Sequence, residues 1–294
     1  MNVMNDDCAA LGGAKEDVRV LRRLEVKEGF TGEGVDEGAS VCAVVDVETT
    51  GLDLGTDAMI QFAMRRFRFD ADGVITRIGA CHSFLEDPGR PIPPDITRLT
   101  GIADADVACR SFPDQRIEWA LNHVEIVVAH NAGFDRKWIE RRFPGAAGLP
   151  WACSMEDIPW QRRGFDGRKL GFLGVQCGFF YDAHRADVDV DAVVALLGHR
   201  FADDGRTALD VLMESARADS WLISAVGAAF EVKDRLRARG YRWNATDRVW
   251  AREVRDDERV AEEFWLATQV YSAEARPRCL QPKVERRTRW ERYA

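Results

Sequence analysis

Ten residues constrain this chain more than any other stretch: Ala39 to Glu48, ASVCAVVDVE, a valine-rich run that ends in two carboxylates. The run reads as a strand buried on both faces. Side chains alternate across a strand, so Asp46 and Glu48, two positions apart, leave the sheet side by side on one face. Two like charges held together need something cationic between them.

The segments that follow fit an α/β fold. After the first run come the strand MIQFAMRRFRFD, a turn at Ala71-Asp72-Gly73 and the strand VITRIGACHSFL, the order of an antiparallel three-stranded meander. The proline-punctuated RPIPPDITRLTGI leads through helix FPDQRIEWALNH to the apolar strand VEIVVAH and then helix AGFDRKWIERRF, a crossover to a parallel strand. A short strand at WACSM and helices around Glu156 to Arg163 and Lys169 to Gly178 precede the acidic helix RADVDVDAVVALLGHRF. The expected product is a mixed sheet flanked by helices, with a smaller α+β module behind it.

The expected division has four parts. Residues 1–37 form a loose N-terminal extension with one strand near VRVLRRLEV, and residues 38–202 the main domain. Residues 203–275 form the small module, reading helix, strand, helix, hairpin, helix. Residues 276–294 are a basic tail, either a late strand or a disordered arm. Five of the nine tryptophans fall in residues 201–294, enough to build a second core.

Charge is divided as unevenly as sequence pattern. Residues 201–294 carry 18 Lys+Arg against 17 Asp+Glu, so the net −8 of the 294-residue chain is −9 over residues 1–200. A polyanionic partner would therefore need divalent metal to offset the acidic half. Seven scattered cysteines without a C-x-x-C pair fit reduced thiols. No apolar run approaches the roughly 20 residues that span a bilayer, and MNVMNDDCAALGG lacks the order of a signal peptide, so the expected compartment is the cytoplasm, with no membrane partner.

Two more segments supply carboxylates. In VVAHNAGFD, His130 and Asn131 end an apolar strand, and Asp135, in the first turn of the next helix, shares a face with Trp138 and Ile139. In YDAHRADVDVDAVVALL, Asp189 projects with Val193 and Leu196, while Asp187 and Asp191 point to the other side. His184 lies in the entry loop of that helix. Four inward acids would repel one another unless bound cations balance them. All-oxygen donors select hard ions, so two Mg2+ or Mn2+ ions are expected.

Asp46-x-Glu48-Thr49-Thr50-Gly51, His130-Asn131-Ala132-Gly133-Phe134-Asp135 and His184-x4-Asp189, in that order, resemble the three motifs of the DEDDh 3′-to-5′ exonucleases. That superfamily includes the proofreading epsilon subunit of bacterial DNA polymerase III, RNase T and oligoribonuclease. The resemblance spans residues 40 to 200 and includes PIPPDITRLTGI. It implies an RNase H-like fold and two-metal hydrolysis of a 3′-terminal phosphodiester, releasing nucleoside 5′-monophosphates. It also implies metal ligation by Asp46, Glu48, Asp135 and Asp189, with His184 as general base. Thr49, Gly51 and Leu52 would receive the terminal nucleotide, and Asn131 and Phe134 would lie against it, Phe134 as a stacking surface.

The implied partner is nucleic acid with a free 3′ end, DNA before RNA, and a polymerase or repair protein fits as a further partner. An exoribonuclease and a non-catalytic, polymerase-associated binding subunit are the rival readings. The small module, KDRLRARGYRWNATDRVWARE, resembles an accessory module of primases and other DNA-processing proteins. Trp243 and Trp250 are expected to pair across its hairpin, and Lys233, Arg235, Arg237, Arg239 and Arg242 offer a phosphate-contacting face.

Overall fold

The computed structural model describes residues 19–245, 247–272, 277 and 281–293. Its first two strands are short, β1 (Arg22–Arg23) and β2 (Gly29–Phe30). Three long ones follow, β3 (Ser40–Thr49), β4 (Met59–Phe69) and β5 (Ile75–Leu85), paired as the antiparallel meander. Helices α1 (Pro94–Thr100), α2 (Asp104–Val107) and α3 (Asp114–Asn122) then lead to β6 (Ile126–Ala129), parallel to β3. Helix α4 (Ala132–Arg142) crosses to β7 (Trp151–Cys153), parallel to β6. Beyond it come α5 (Leu170–Gln176), β8 (Phe179–Phe180), α6 (Ala186–Leu197) and α7 (Ala208–Arg217). The main sheet is six-stranded and mixed, in the order β2-β5-β4-β3-β6-β7.

Strand β3 is central, which is why its sequence is apolar on both faces. Cys42 and Val44 face α6 and α7 together with Phe67 and Phe69. Ala43, Val45 and Val47 face α3 and α4, whose Ile117, Leu121, Trp138 and Ile139 fill the opposite layer. Asp46 and Glu48 continue the first of these faces, the one covered by α6. The fold is therefore two layers of helix around one sheet, with the carboxylate pair carried out at the end of its middle strand.

The remaining elements build a second sheet: β9 (Ser220–Ser224), α8 (Lys233–Ala238), β10 (Arg242–Asn244), β11 (Val249–Arg255), α9 (Asp256–Gln269) and β12 (Lys283–Arg287). Its strands are antiparallel in the order β10-β11-β9-β12. Ile223, Val254, Leu236 and Leu266 form its core with Tyr241 and Val270. Helices α8 and α9 thus cover one face, and Ser220, Arg242, Ala251, Glu253 and Arg255 lie on the other.

Several elements sit elsewhere than the sequence division places them. Helix α7, counted with the small module in that division, packs on the main sheet through Leu209, Leu212, Met213 and Ala216, and the first strand of the small sheet begins at Ser220. The reason is local: Thr207 caps α7 and donates to the Gly73 carbonyl at 2.7 Å. Any Cβ at Gly73 would meet the Asp210 backbone at 2.6 Å, so glycine permits the approach. Within the basic tail, Lys283–Arg287 is a strand of the small sheet, antiparallel to β9. Of the N-terminal extension, β2 pairs with β5 and β1 with β8; residues 1–18 lie outside the described residues. Trp160–Arg163 is a 3-10 turn, started by Pro159 and stopped by Gly164 in the left-handed region at φ 85°.

A buried ion pair ties the two units together. The Arg292 guanidinium donates to Asp157, to Glu253 at 3.1 Å and to the Ser215 carbonyl at 2.9 Å. The Tyr293 hydroxyl also donates to Asp157, at 2.7 Å. Arg136 of α4 in turn holds the Arg292 and Trp290 carbonyls.

Candidate active site

Three elements bring four carboxylates together at the end of β3. Asp46 and Glu48 project from the strand itself, and Asp189 reaches them from the first turn of α6. One oxygen of each of these three lies within 4.8 Å of the others. Asp135 arrives from α4, on the opposite layer, and its Oδ1 accepts the Val47 N–H at 3.2 Å. Three carboxylates therefore form a tight group and the fourth borders it, one oxygen held by the strand backbone. The β3–β4 register shifts between Glu48 and Thr49, a bulge that ends regular pairing at this point.

Among the described residues no lysine or arginine forms an ion pair with this group, and the His184 imidazole is the side-chain charge that draws Asp189 down. Nearby arginines are committed elsewhere: Arg65 to Asp191 at 2.6 Å, Arg136 to Glu140 at 2.8 Å and Arg185 to Asp187 at 3.5 Å. Burial raises the Asp46 carboxyl well above its ordinary range, and Asp135, Asp189 and Glu48 push it further. Glu48 is pushed up to about 7, by burial and then by Asp189. Burial also raises Asp135, against the pull of the Val47 N–H. Asp189 is raised by burial too, opposed by the Tyr181 hydroxyl and by the backbone N–H groups of His184 and Arg185. Such a set stays ionised only with hard cations among its oxygens, and the donor set fits divalent metal.

The remaining residues singled out by the sequence fall around this centre. His184 is exposed, in the left-handed region at φ 70°, and its N–H donates to Asp189 Oδ2 at 2.9 Å. Thr49 Oγ1 donates to the Gly51 carbonyl at 2.6 Å, and the bend continues to Leu52, 85% exposed. Core packing therefore does not explain Leu52. Asp57 locks this loop by accepting from Thr50 Oγ1, the Asp53 N–H and Arg90. A Cβ at Gly51 would collide with the Asp57 carboxylate. Asn131 is exposed at φ 101°, and Phe134 is half-buried, its ring 6.0 Å from that of Trp138. His130 is structural: its ring bridges Ser154 Oγ at 2.9 Å and the Arg168 carbonyl at 2.8 Å.

Two contributors escaped the sequence reading. Tyr181 holds Asp189 through its hydroxyl, and nothing in FFYDAHRAD marks that contact. Gln61, paired with Glu48 in register, donates to Ser83 Oγ at 2.9 Å and accepts the Ala186 N–H at 3.2 Å, pinning the start of α6 beside the carboxylates. A lone glutamine in the buried run MIQFAM was the available signal. In the small unit, Trp243 and Trp250 do pair, edge to face at 5.7 Å. The five basic residues are not one free face, because Arg239 is bound to the buried Glu262 at 3.1 Å.

Comparison with known proteins points the same way. The sequence profile of the exonuclease family RNase_T matches residues 43–197, more than half of the chain. Ribonuclease T of Shewanella frigidimarina is 30% identical over 112 residues, covering 33% of this chain and 50% of that protein. DNA polymerase III subunit epsilon of Treponema pallidum is 25% identical over 173 residues, covering 54% and 78% respectively. A DNA polymerase III of PolC type from Listeria monocytogenes is 36% identical over 115 residues, 36% of this chain and 7% of that one. The chain thus spans half or less of the length of two of these three relatives. Among solved structures, exonuclease I superposes with a TM-score of 0.50 at 18% identity, over 86% of this chain and 63% of that one. The last likeness is one of fold, the RNase H-like arrangement of a mixed sheet between helices.

Proposed function

Since this chain belongs to the RNase_T exonuclease family, we propose that it is a metal-dependent 3′-to-5′ exonuclease acting on single-stranded or frayed DNA and releasing nucleoside 5′-monophosphates. The observation that carries this reading is the group Asp46, Glu48 and Asp189, gathered within 4.8 Å, with no lysine or arginine in an ion pair with it among the described residues. These three, with the second oxygen of Asp135, would hold two Mg2+ or Mn2+ ions. Bound there, the ions would acidify a water and stabilise the departing 3′ oxygen.

The protein groups have separate tasks. The exposed His184 ring would take the proton of the attacking water, as an imidazole nitrogen with a free lone pair can. Its own N–H, with that of Arg185, meanwhile keeps Asp189 turned into the centre. Leu52, held out on the loop that Asp57 locks, would wedge against the last base, and Phe134 would offer a ring face to it. Thr49, Gly51 and Asn131 would border the terminal sugar.

The polymerase III relatives support DNA as substrate and a polymerase or repair assembly as partner. The ribonuclease T relative favours a second reading, RNA as substrate through the same site. Matched 3′-labelled single-stranded DNA, duplex DNA and RNA, each incubated with the full chain and Mg2+, test both. Mononucleotide release, fastest from single-stranded DNA and abolished by EDTA, is the expected result. Release that survives EDTA or Asp189→Ala, or none from any substrate, overturns the assignment.

A further inference from the structure

A cleft of about 570 Å3 separates the two units. Its walls include Arg162 and Arg168 from the main unit and Arg242 and Arg255 from the open face of the small sheet. Asn131 and Gly133, at the start of the helix that carries Asp135, also line the cleft. A Cβ at Gly133 would meet nothing within 4 Å, so the floor there is open. We propose that this cleft is the path along which the phosphates of the substrate strand reach the carboxylate centre. The C-terminal unit is then part of the substrate site. This inference rests on the exonuclease reading and names where the strand runs.

Residues 1–200 carry a net −9, and the carboxylate centre itself repels a polyanion. A strand needs a locally positive approach, and the cleft lining supplies one in Arg162, Arg168 and Arg242, which share only Glu156 and Glu258. Of the other arginines in the lining, Arg239 and Arg252 are bound to Glu262 and Arg255 to Asp257. Three of those lining groups, Arg292, Asp157 and Glu253, are committed to the buried tie between the units.

The outer arginines are also only loosely held. Arg162 meets Glu258 across the cleft at 3.1 Å, and Arg242 meets Glu156 across it at 3.6 Å. The two arginine side chains remain 74% and 76% exposed. Exposed pairs of this kind contribute little to stability, so a phosphate can displace the carboxylate at little cost. In the pairing register Arg242 lies opposite Ala251, so Arg242, Ala251, Glu253 and Arg255 share the face turned to the cleft, away from α8 and α9.

The test compares a dinucleotide with a strand of about 15 nucleotides, because only the longer one spans centre and cleft together. For Arg162→Glu and Arg242→Glu, kcat/KM should fall at least about tenfold more for the long strand than for the dinucleotide. The salt slope of long-strand binding should shrink by roughly one unit per arginine removed. Glu156→Gln should act in the opposite direction and tighten the long strand, since it frees Arg242 and Arg168. Equal losses at both lengths overturn the inference. So does a Glu156→Gln variant that weakens the long strand as Arg242→Glu does, because the pairs are then only a clamp between units.

Either result leaves the exonuclease reading standing. Anisotropy of a labelled strand in EDTA measures the same variants without turnover. A wild-type chain that binds the strand through these arginines yet cleaves nothing with Mg2+ would remove the exonuclease reading and leave the cleft.

Discussion

Asp135 and Asp157 lie just beyond neighbouring strands, β6 and β7, and are equally sealed from water, 3% and 4% exposed. Their surroundings are opposite. Asp157 accepts the Cys153 N–H at 2.7 Å, the Tyr293 hydroxyl and the Arg292 guanidinium. Asp135 has the Val47 N–H and, beyond it, other carboxylates. Burial raises both carboxyls, but Arg292 pulls Asp157 back down whereas Glu48 and Asp189 push Asp135 higher. A buried acid supplied with its own cation ties the architecture together. One denied a cation by the chain waits for one from outside.

The largest effect that would break this contrast concerns the unpaired group. Asp46→Asn should lower mononucleotide release on the order of 10⁴-fold, about 5 kcal/mol of barrier. The metal-free variant should unfold at the same urea concentration as the wild type or a higher one, since one of several repelling charges is gone. A variant that keeps its activity, or loses stability instead, would erase the distinction between the two sites.

At the paired site the expectation reverses. Arg292→Met should destabilise the fold by about 3–5 kcal/mol, because it leaves Asp157 buried without its cation. Adding Asp157→Leu should recover much of that loss, which urea midpoints would show. If the single variant unfolds like the wild type, the tie is ornamental.

Metal sharpens the comparison further. At a hundredfold excess over its dissociation constant, Mg2+ or Mn2+ should stabilise the wild type by roughly 2.7 kcal/mol. Asp46→Asn should show little of that gain, while Arg292→Met should retain it. Unfolding with and without EDTA measures this directly.

His130 carries the effect most narrowly confined, to acid pH. Burial holds its imidazole down to about 4. The unfolded chain takes up the proton first, so its stabilising share is complete above a pH of about 6.5 and is lost as pH falls toward 4. That share is on the order of 3 kcal/mol. His130→Gln should flatten the acid limb of the stability curve across that window, and an unchanged limb would place the ring outside the core.

Much of the site was legible before any coordinates. Alternation along β3 put Asp46 and Glu48 on one face, and the helical period turned Asp135 and Asp189 inward, where the structure has them. Those are local rules, and each acts within one element. Tyr181 and Gln61 were hidden because their contacts join separate elements, Gln61 reaching Ala186 125 residues away. Helix α7 showed an apolar face, but periodicity does not say which sheet that face will cover.

The sequence by itself determined the element types, the central buried strand and the carboxylates carried at its end, since backbone period and side-chain chemistry are properties of short segments. Only the tertiary structure decided that Asp135 would reach the centre from the opposite layer and that Arg292 would cross to Asp157. It also set the arginine-lined cleft between the two sheets. Burial and counter-charge depend on what the rest of the chain brings alongside, and no local pattern encodes that.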